Sequence, residues 1–384
     1  MPEDWEAGGF GIYVHWPFCE AKCPYCDFNS HVARRIDQPR WRAAYLSEID
    51  RHAREVPGRI VRSVFFGGGT PSLMDQETVA AILERIRTHW PQANDLEVTL
   101  EANPGSVESA RFRDYFGAGV SRVSMGMQAL NDDDLRRLGR IHTVAEGLQA
   151  FDIAKSVFDR VSFDLIYARQ NQTVEEWRQE LTQALSLAVD HLSLYQLTIE
   201  DGTAFGDRYR IGKLRGLPDD DMAAAMYEAT QDITAAAGYH GYEISNHCRP
   251  GAESRHNSLY WRYGDYIGIG PGAHGRLTLA GRRHATEAIR MPDAWLAAAE
   301  RGNGDKVRAK LAPEDEVTEF LLMGLRLADG IDLKRYETLA GHAVPQDRVD
   351  HLVDIGMITV DGPRTRCTAA GRMVLNSVIA TLLE

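Results

Sequence analysis

Residues 13–28 read YVHWPFCEAKCPYCDF, an apolar, β-prone run that breaks at Pro17 and opens into three cysteines, Cys19, Cys23 and Cys26, within eight positions. Three thiolates on one short loop can converge on a single inorganic centre. The other two cysteines, Cys248 and Cys367, lie far apart, and an odd count without a secretion leader argues against a disulfide framework. Two kinds of centre fit the cluster. A structural zinc takes four ligands, often as two pairs. No second cysteine pair follows, and Phe28 stands where a fourth cysteine could complete the run, although His15 and His31 flank the loop and keep zinc open. The alternative is a 4Fe–4S cluster with three irons held by cysteine and the fourth left free to bind a small molecule.

Outward from this loop, β-rich runs alternate with helical patterns. Strands are expected at 11–18, 63–70, 96–104, 122–129, 160–168 and 191–200. Helices are expected near 41–55, 76–89, 106–118, 143–157, 174–188 and 219–237. Such alternation predicts an α/β fold with a parallel sheet and right-handed helical crossovers. Asp75 with Thr78, and Ser106 before Glu108, suit helix starts, while Gly117, Gly119 and Gly238 suit helix ends. Asn94-Asp95 and Pro104-Gly105 read as turns. The rhythm changes after about residue 240. The stretch 256–275, dense in Gly, Tyr and His, reads as loop and short extended segments. From residue 313 helical patterns return, with a hairpin candidate at 357–367 and a last helix over 368–383, as in a small winged-helix-like module. Three regions follow: 1–240, 241–305 and 306–384.

Composition excludes several classes. Hydrophobic residues make up 44% of the 384, which supports a substantial core. The net charge of −12 makes a nucleic-acid partner a poor expectation, because phosphate binding needs concentrated basic surface. No apolar run approaches the length of a membrane span, and the acidic start lacks the order of a signal peptide, so the expected location is the cytoplasm.

Further strand ends carry a polar residue in an apolar context: Glu101, Gln128, Asp164 and Tyr195, with Arg140 twelve positions after Gln128. In parallel strands these ends converge on one mouth. The second strand ends in Gly67-Gly68-Gly69-Thr70-Pro71, where missing side chains permit close approach to the backbone.

The Cys-x3-Cys-x2-Cys loop after a first strand resembles the signature of radical S-adenosylmethionine (SAM) proteins. The wider run 13–28 resembles the branch that contains oxygen-independent coproporphyrinogen III oxidase and a group of heme chaperones, over nearly the whole chain. The resemblance implies a partial (β/α)6 barrel with a small C-terminal winged-helix-like module. It implies a 4Fe–4S cluster on Cys19, Cys23 and Cys26, with SAM on its open iron. Gly68, Gly69 and Thr70 match the element that binds the SAM amino group. Tyr13, Glu101, Gln128, Arg140 and Asp164 match residues lining the SAM site, and Tyr25 matches the aromatic beside adenine. Tyr195 is not carried over. The chemistry implied is one-electron reductive cleavage of SAM, which requires an electron donor.

Three features depart from the oxidase. Its fourth loop cysteine is Phe28 here, only twelve residues precede Tyr13, and residues 256–261 read HNSLYW. The HNxxYW pattern resembles the heme-chaperone branch, which implies heme as cargo and a heme-accepting protein as partner, with peripheral association where that acceptor is membrane-bound. The same resemblance implies His256 as a heme contact; histidine is a good axial ligand and aromatic rings pack on porphyrins. His247 and His274 compete for that role, and Cys248 reads as an inert core thiol. The expected function is heme binding and delivery, with coproporphyrinogen oxidation or another radical SAM reaction as the alternative.

Overall fold

The computed structural model describes residues 3–105 and 109–383. Six parallel strands pair in chain order: β1 (Phe10–Trp16), β2 (Val61–Gly68), β3 (Gln92–Ala102), β4 (Arg122–Gln128), β5 (Arg160–Tyr167) and β6 (His191–Gln196). Helices α1 (Gln38–Glu55), α2 (Gln76–His89), α3 (Phe112–Ala118), α4 (Val144–Val157) and α5 (Val174–Leu187) supply the crossovers, and α6 (Asp220–Ala236) follows β6. The expected helix start at Ser106 and Glu108 lies outside the described residues.

Period-2 alternation gives the sheet two different faces. Ile12, Val14, Val64, Phe66, Val98 and Leu100 are buried and belong to the main apolar core with α1 and α2. Each such side chain contributes roughly 1.5–3 kcal/mol on burial. The opposite face is polar. Arg122 Nη2 donates to Ser162 Oγ at 2.7 Å, and Ser124 Oγ donates to Asp164 Oδ1 at 3.3 Å. Caps fix the helix starts: Thr143 with Glu146, and Thr173 with Glu176, form reciprocal capping boxes. Gly119 closes α3 in the left-handed region at φ 110°, whereas Gly117 lies inside its last turn rather than ending it.

Asn94-Asp95 is not a turn. It lies within β3, between the pairs Val61↔Gln92 and Ser63↔Glu97, so the extra residues bulge out of a longer strand. The sheet also runs past the sixth strand. β7 (Asp265–Ile269) pairs parallel with the other side of β1, and β8 (His274–Leu279), β9 (Arg282–Ala288) and β10 (Asp305–Lys310) add antiparallel. At the opposite edge Asn246–Cys248 pairs antiparallel with β6. Region 241–305 therefore extends the sheet from both edges.

Residues 255–261 form a helix, α7 (Arg255–Trp261), where the sequence reads as loop. Ser254 caps it by accepting from Asn257 N, and His256 and Leu259, three apart, are its buried residues. Seven residues are too few to display a helical period, and tertiary burial decides the conformation. The C-terminal module has its own core, including Phe320, Leu321, Tyr336, Leu352 and Val378. Its helices surround a three-stranded sheet in which Ile331–Asp332 and Ile358–Asp361 flank Arg364–Cys367. No helix among the described residues is long and apolar enough to cross a membrane.

Candidate metal and cofactor site

The cysteine loop leaves the C-terminal end of β1 and crosses the mouth formed by the strand ends. Its approach depends on missing side chains. Gly69 N donates to Trp16 O at 2.6 Å and Thr70 N to Phe18 O at 2.8 Å. A Cβ on Gly69 would lie 2.6 Å from Phe18 O, and one on Gly68 would meet the His15 ring at 2.6 Å. The space that these glycines leave is filled by the chain's own loop, which seats Cys19 against Thr70.

Cys19, Cys23 and Cys26 are all half-buried, and burial pushes the thiols of Cys19 and Cys26 up from their ordinary value. Each sulfur has a polar neighbour. Thr70 Oγ1 donates to Cys19 Sγ at 3.5 Å, Arg140 Nη1 donates to Cys23 Sγ at 3.5 Å, and Ser30 Oγ lies 3.8 Å from Cys26 Sγ. At Cys19 and Cys26 the hydroxyl contacts oppose the upward shift that burial imposes, without cancelling it. Asn103 ties two of these donors together. Its Nδ2 donates to Thr70 Oγ1 at 3.0 Å and its Oδ1 accepts from Arg140 Nη2 at 2.6 Å. The path Cys19–Thr70–Asn103–Arg140–Cys23 thus spans the mouth. Arg140 Nε is buried there without a partner in the protein.

The histidines beside the loop do not suit zinc. His15 has both ring nitrogens engaged, Nδ1 with Tyr13 OH and Nε2 with Asn29 O, each at 3.0 Å. His31 Nε2 lies 3.2 Å from Asn29 Oδ1. Among the described residues, the three potential ligand atoms that gather within 4.8 Å of one another are those of Glu48, His52 and Asp305, not the cysteines. The Arg51 guanidinium already bonds all three of those groups. A tetrahedral zinc would hold its sulfurs about 3.8 Å apart. Three thiols that do not all gather within 4.8 Å, with donors beside them and an unsatisfied guanidinium N–H between strand ends, fit a larger cluster with a polar ligand alongside.

The other predicted residues surround this mouth. Tyr13 is on β1, and Tyr25 packs on Phe205 with ring centroids 6.4 Å apart. Glu101 Oε2 accepts from Gly68 N at 3.2 Å. Burial and the neighbouring Asp164 push Glu101 up to about 8, and burial pushes Asp164 up to about 6. Gln128 ends β4 at φ 68°, after a register shift that turns it toward Gly126, where a Cβ would lie 2.8 Å from its Nε2. Tyr195 lies beside Asp164 and Glu101.

His256 packs against the middle of β1 and β2, over Ser63, Phe65 and Tyr13. It is 6% exposed, its Nδ1 lies 3.0 Å from Ser63 Oγ, and its ring stacks on Phe65 at 5.0 Å. Of the competitors, His247 is fully buried and His274 exposed, while Cys248 is a core residue whose thiol burial pushes up to about 12. Sequence reasoning missed Asn103 and Asn29. Asn103 sits two residues after Glu101, on the same alternation, and that spacing was the available signal.

A parallel α/β sheet with three cysteines and a polar rim at its strand ends is the arrangement of a radical SAM protein. Residues 13–184 match the model of the radical SAM superfamily, and residues 311–374 match the HemN C-terminal domain. A mitochondrial radical S-adenosyl methionine domain-containing protein 1 from Mus musculus is 39% identical, covering 97% of this chain and 87% of that one. Heme chaperone HemW proteins from Haemophilus influenzae and Escherichia coli are each 37% identical, covering 97% of both chains in each case. The solved structure of coproporphyrinogen III oxidase (HemN) from Escherichia coli superposes with a TM-score of 0.81 over 97% of this chain and 90% of its own, at 21% identity, which shows a shared fold. The chain belongs to the radical SAM superfamily, in the family of these full-length relatives. That membership implies SAM and a 4Fe–4S cluster.

Proposed function

We propose that the chain is a cytoplasmic heme chaperone that holds heme and passes it to an acceptor protein, while keeping a SAM-bound 4Fe–4S cluster at the mouth of its sheet. The observation that carries this reading is the near-complete coverage of relatives named heme chaperone HemW, at 37% identity. The HNSLYW segment, which resembles the heme-chaperone branch, supports it and forms a discrete helix, α7.

Cys19, Cys23 and Cys26 would hold the cluster. Arg140 would pair with the SAM carboxylate, Glu101 and Asp164 would face the ribose hydroxyls, and Gly68, Gly69 and Thr70 would receive the amino group. Tyr13, Tyr25 and Gln128 would complete the SAM pocket. When bound, the cluster and SAM supply one-electron cleavage of the sulfonium. The protein's own part is to place donors against the thiols, to orient SAM through fixed donors, and to limit water at the mouth.

Heme is the cargo, and His256 is its proposed contact. Its Nδ1 is occupied by Ser63 and its ring packs on Phe65. Nε2 is left as the ligating atom, but the residue is 6% exposed, so heme reaches it only when α7 withdraws from the sheet. Phe28, 57% exposed, stands at the position of the oxidase's further cysteine, so coproporphyrinogen oxidation is not expected.

Titrating the reconstituted protein with hemin under anaerobic conditions should give a saturable Soret band. A parallel incubation with coproporphyrinogen III, SAM and a reductant should leave its propionates intact. Multiple-turnover formation of protoporphyrinogen IX would replace this reading with the oxidase.

A further inference from the structure

His256 is tied to the cysteine loop through a short series of contacts. Its ring lies nearly parallel to that of Tyr13, with centroids 6.1 Å apart and planes at 26°. Phe65 stacks on both rings. The Tyr13 hydroxyl lies 3.0 Å from His15 Nδ1, and His15 Nε2 lies 3.0 Å from Asn29 O. A backbone carbonyl only accepts, so Nε2 of His15 carries the hydrogen. Burial holds the His15 pKa down at about 4, so its ring is neutral and Nδ1 must accept. The Tyr13 hydroxyl therefore donates to His15, and its rotor is fixed in one direction.

Asn29 is itself a hub. Its Nδ2 donates to Pro271 O and to Arg290 O, each at 2.8 Å, and a Cβ on Gly272 would lie 2.6 Å from that nitrogen. Cys26 lies three residues before it. The Ser63 bond and the Phe65 face fix the His256 ring from its other sides.

We infer that His256 is a positioning residue for the cluster–SAM mouth: its ring holds Tyr13 in place, and Tyr13 through His15 and Asn29 fixes the strap that follows Cys26. The same ring is then needed by two sites. With α7 seated, it supports the mouth; when α7 withdraws for heme, that support is released. Heme occupancy and SAM binding are thereby coupled through one side chain.

The inference rests on the reading of Tyr13 as a SAM-site residue. The test uses SAM titrations of the reconstituted full chain, with electron paramagnetic resonance of the reduced cluster recorded before and after SAM. His256→Ala removes the stacked ring and should raise the SAM dissociation constant about tenfold and diminish the SAM-induced spectral change. The double variant His256→Phe with Ser63→Ala restores a flat ring without leaving the serine hydroxyl unpaired. It should return SAM affinity to within about twofold of the parent, because stacking, not the imidazole nitrogen, is what the mouth needs. Leu259→Ala, on the same buried face of α7, controls for a loosened helix and should leave the spectrum unchanged. Parental SAM affinity and spectrum in folded His256→Ala would overturn the inference. So would failure of the double variant to rescue, or an equal effect from Leu259→Ala at equal loss of stability. Failure of the parent protein to bind SAM at all would sink the underlying SAM reading instead. A hemin titration of the double variant keeps the cargo reading separate, since a lost Soret band there reports on the nitrogen alone.

Discussion

The two ends of the strands are built on opposite plans. At their starts, charged groups beside α7 are paired, although Trp261 Nε1 on that helix is buried without a partner. Glu97 accepts from Arg160 at 3.1 Å and from Arg255 N at 2.9 Å, and His256 meets Ser63. At their ends, the network stops short. Arg140 Nε is buried without a partner, three half-exposed thiols face neutral or cationic donors, and two carboxyls sit close enough to hold protons near neutral pH. Buried polar groups that lack partners cost free energy. The unmet Arg140 N–H among the strand ends marks where a polar ligand would complete the structure.

Removing the ligands of the mouth should have the largest effect. Replacing Cys19, Cys23 and Cys26 together by Ser should abolish cluster assembly, from four irons and four sulfides per chain to none after anaerobic reconstitution, with circular dichroism unchanged. Retention of stoichiometric zinc without sulfide in the parent would break the comparison at its root. Next is Arg140→Ala, which should weaken SAM about 10- to 100-fold by calorimetry, the value of a lost charge-assisted contact. A change below twofold would assign Arg140 to the Asn103 network alone.

Gly69→Ala sharpens the same contrast without touching a ligand. The new methyl meets Phe18 backbone at 2.6 Å, which cannot yield as a side-chain tip can. A loss of about 1–3 kcal/mol in urea unfolding is expected, with lowered cluster yield. Parental stability would show that the loop moves freely over β2.

The smallest effect is a pH slope. Glu101 and Asp164 are raised in the folded state to about 8 and about 6 from ordinary values of 4.5 and 3.8. Between those limits the native state binds more protons than the unfolded state, so stability falls as pH rises. SAM-free protein should lose up to about 1.4 kcal/mol per pH unit per carboxyl across that window. Glu101→Gln keeps an acceptor for Gly68 N and should flatten the slope above pH 6. An unchanged slope would show that Glu101 is not the titrating group.

The sheet and the mouth were legible because each was written locally. Alternating apolar residues in β1 to β6 and the spacing of Cys19, Cys23 and Cys26 need no knowledge of distant contacts. What could not be read depended on partners far along the chain. Residues 255–261 become a helix because Ser63, Phe65 and Tyr13, all far back along the chain, receive His256. Asn94-Asp95, a turn by composition, is carried in a strand because its flanks pair with β2. Asn29 and Asn103 are common polar residues whose roles appear only when Pro271, Arg290, Thr70 and Arg140 surround them.

The most direct test of the account is the heme stoichiometry of two proteins: the reconstituted parent and the triple Cys→Ser variant. Both should take up one heme per chain, with the same saturable Soret band, because the cargo is assigned to α7 and the cluster to the cysteine loop. Absence of saturable heme in the parent, or loss of heme together with the cluster in a folded triple variant, would contradict it.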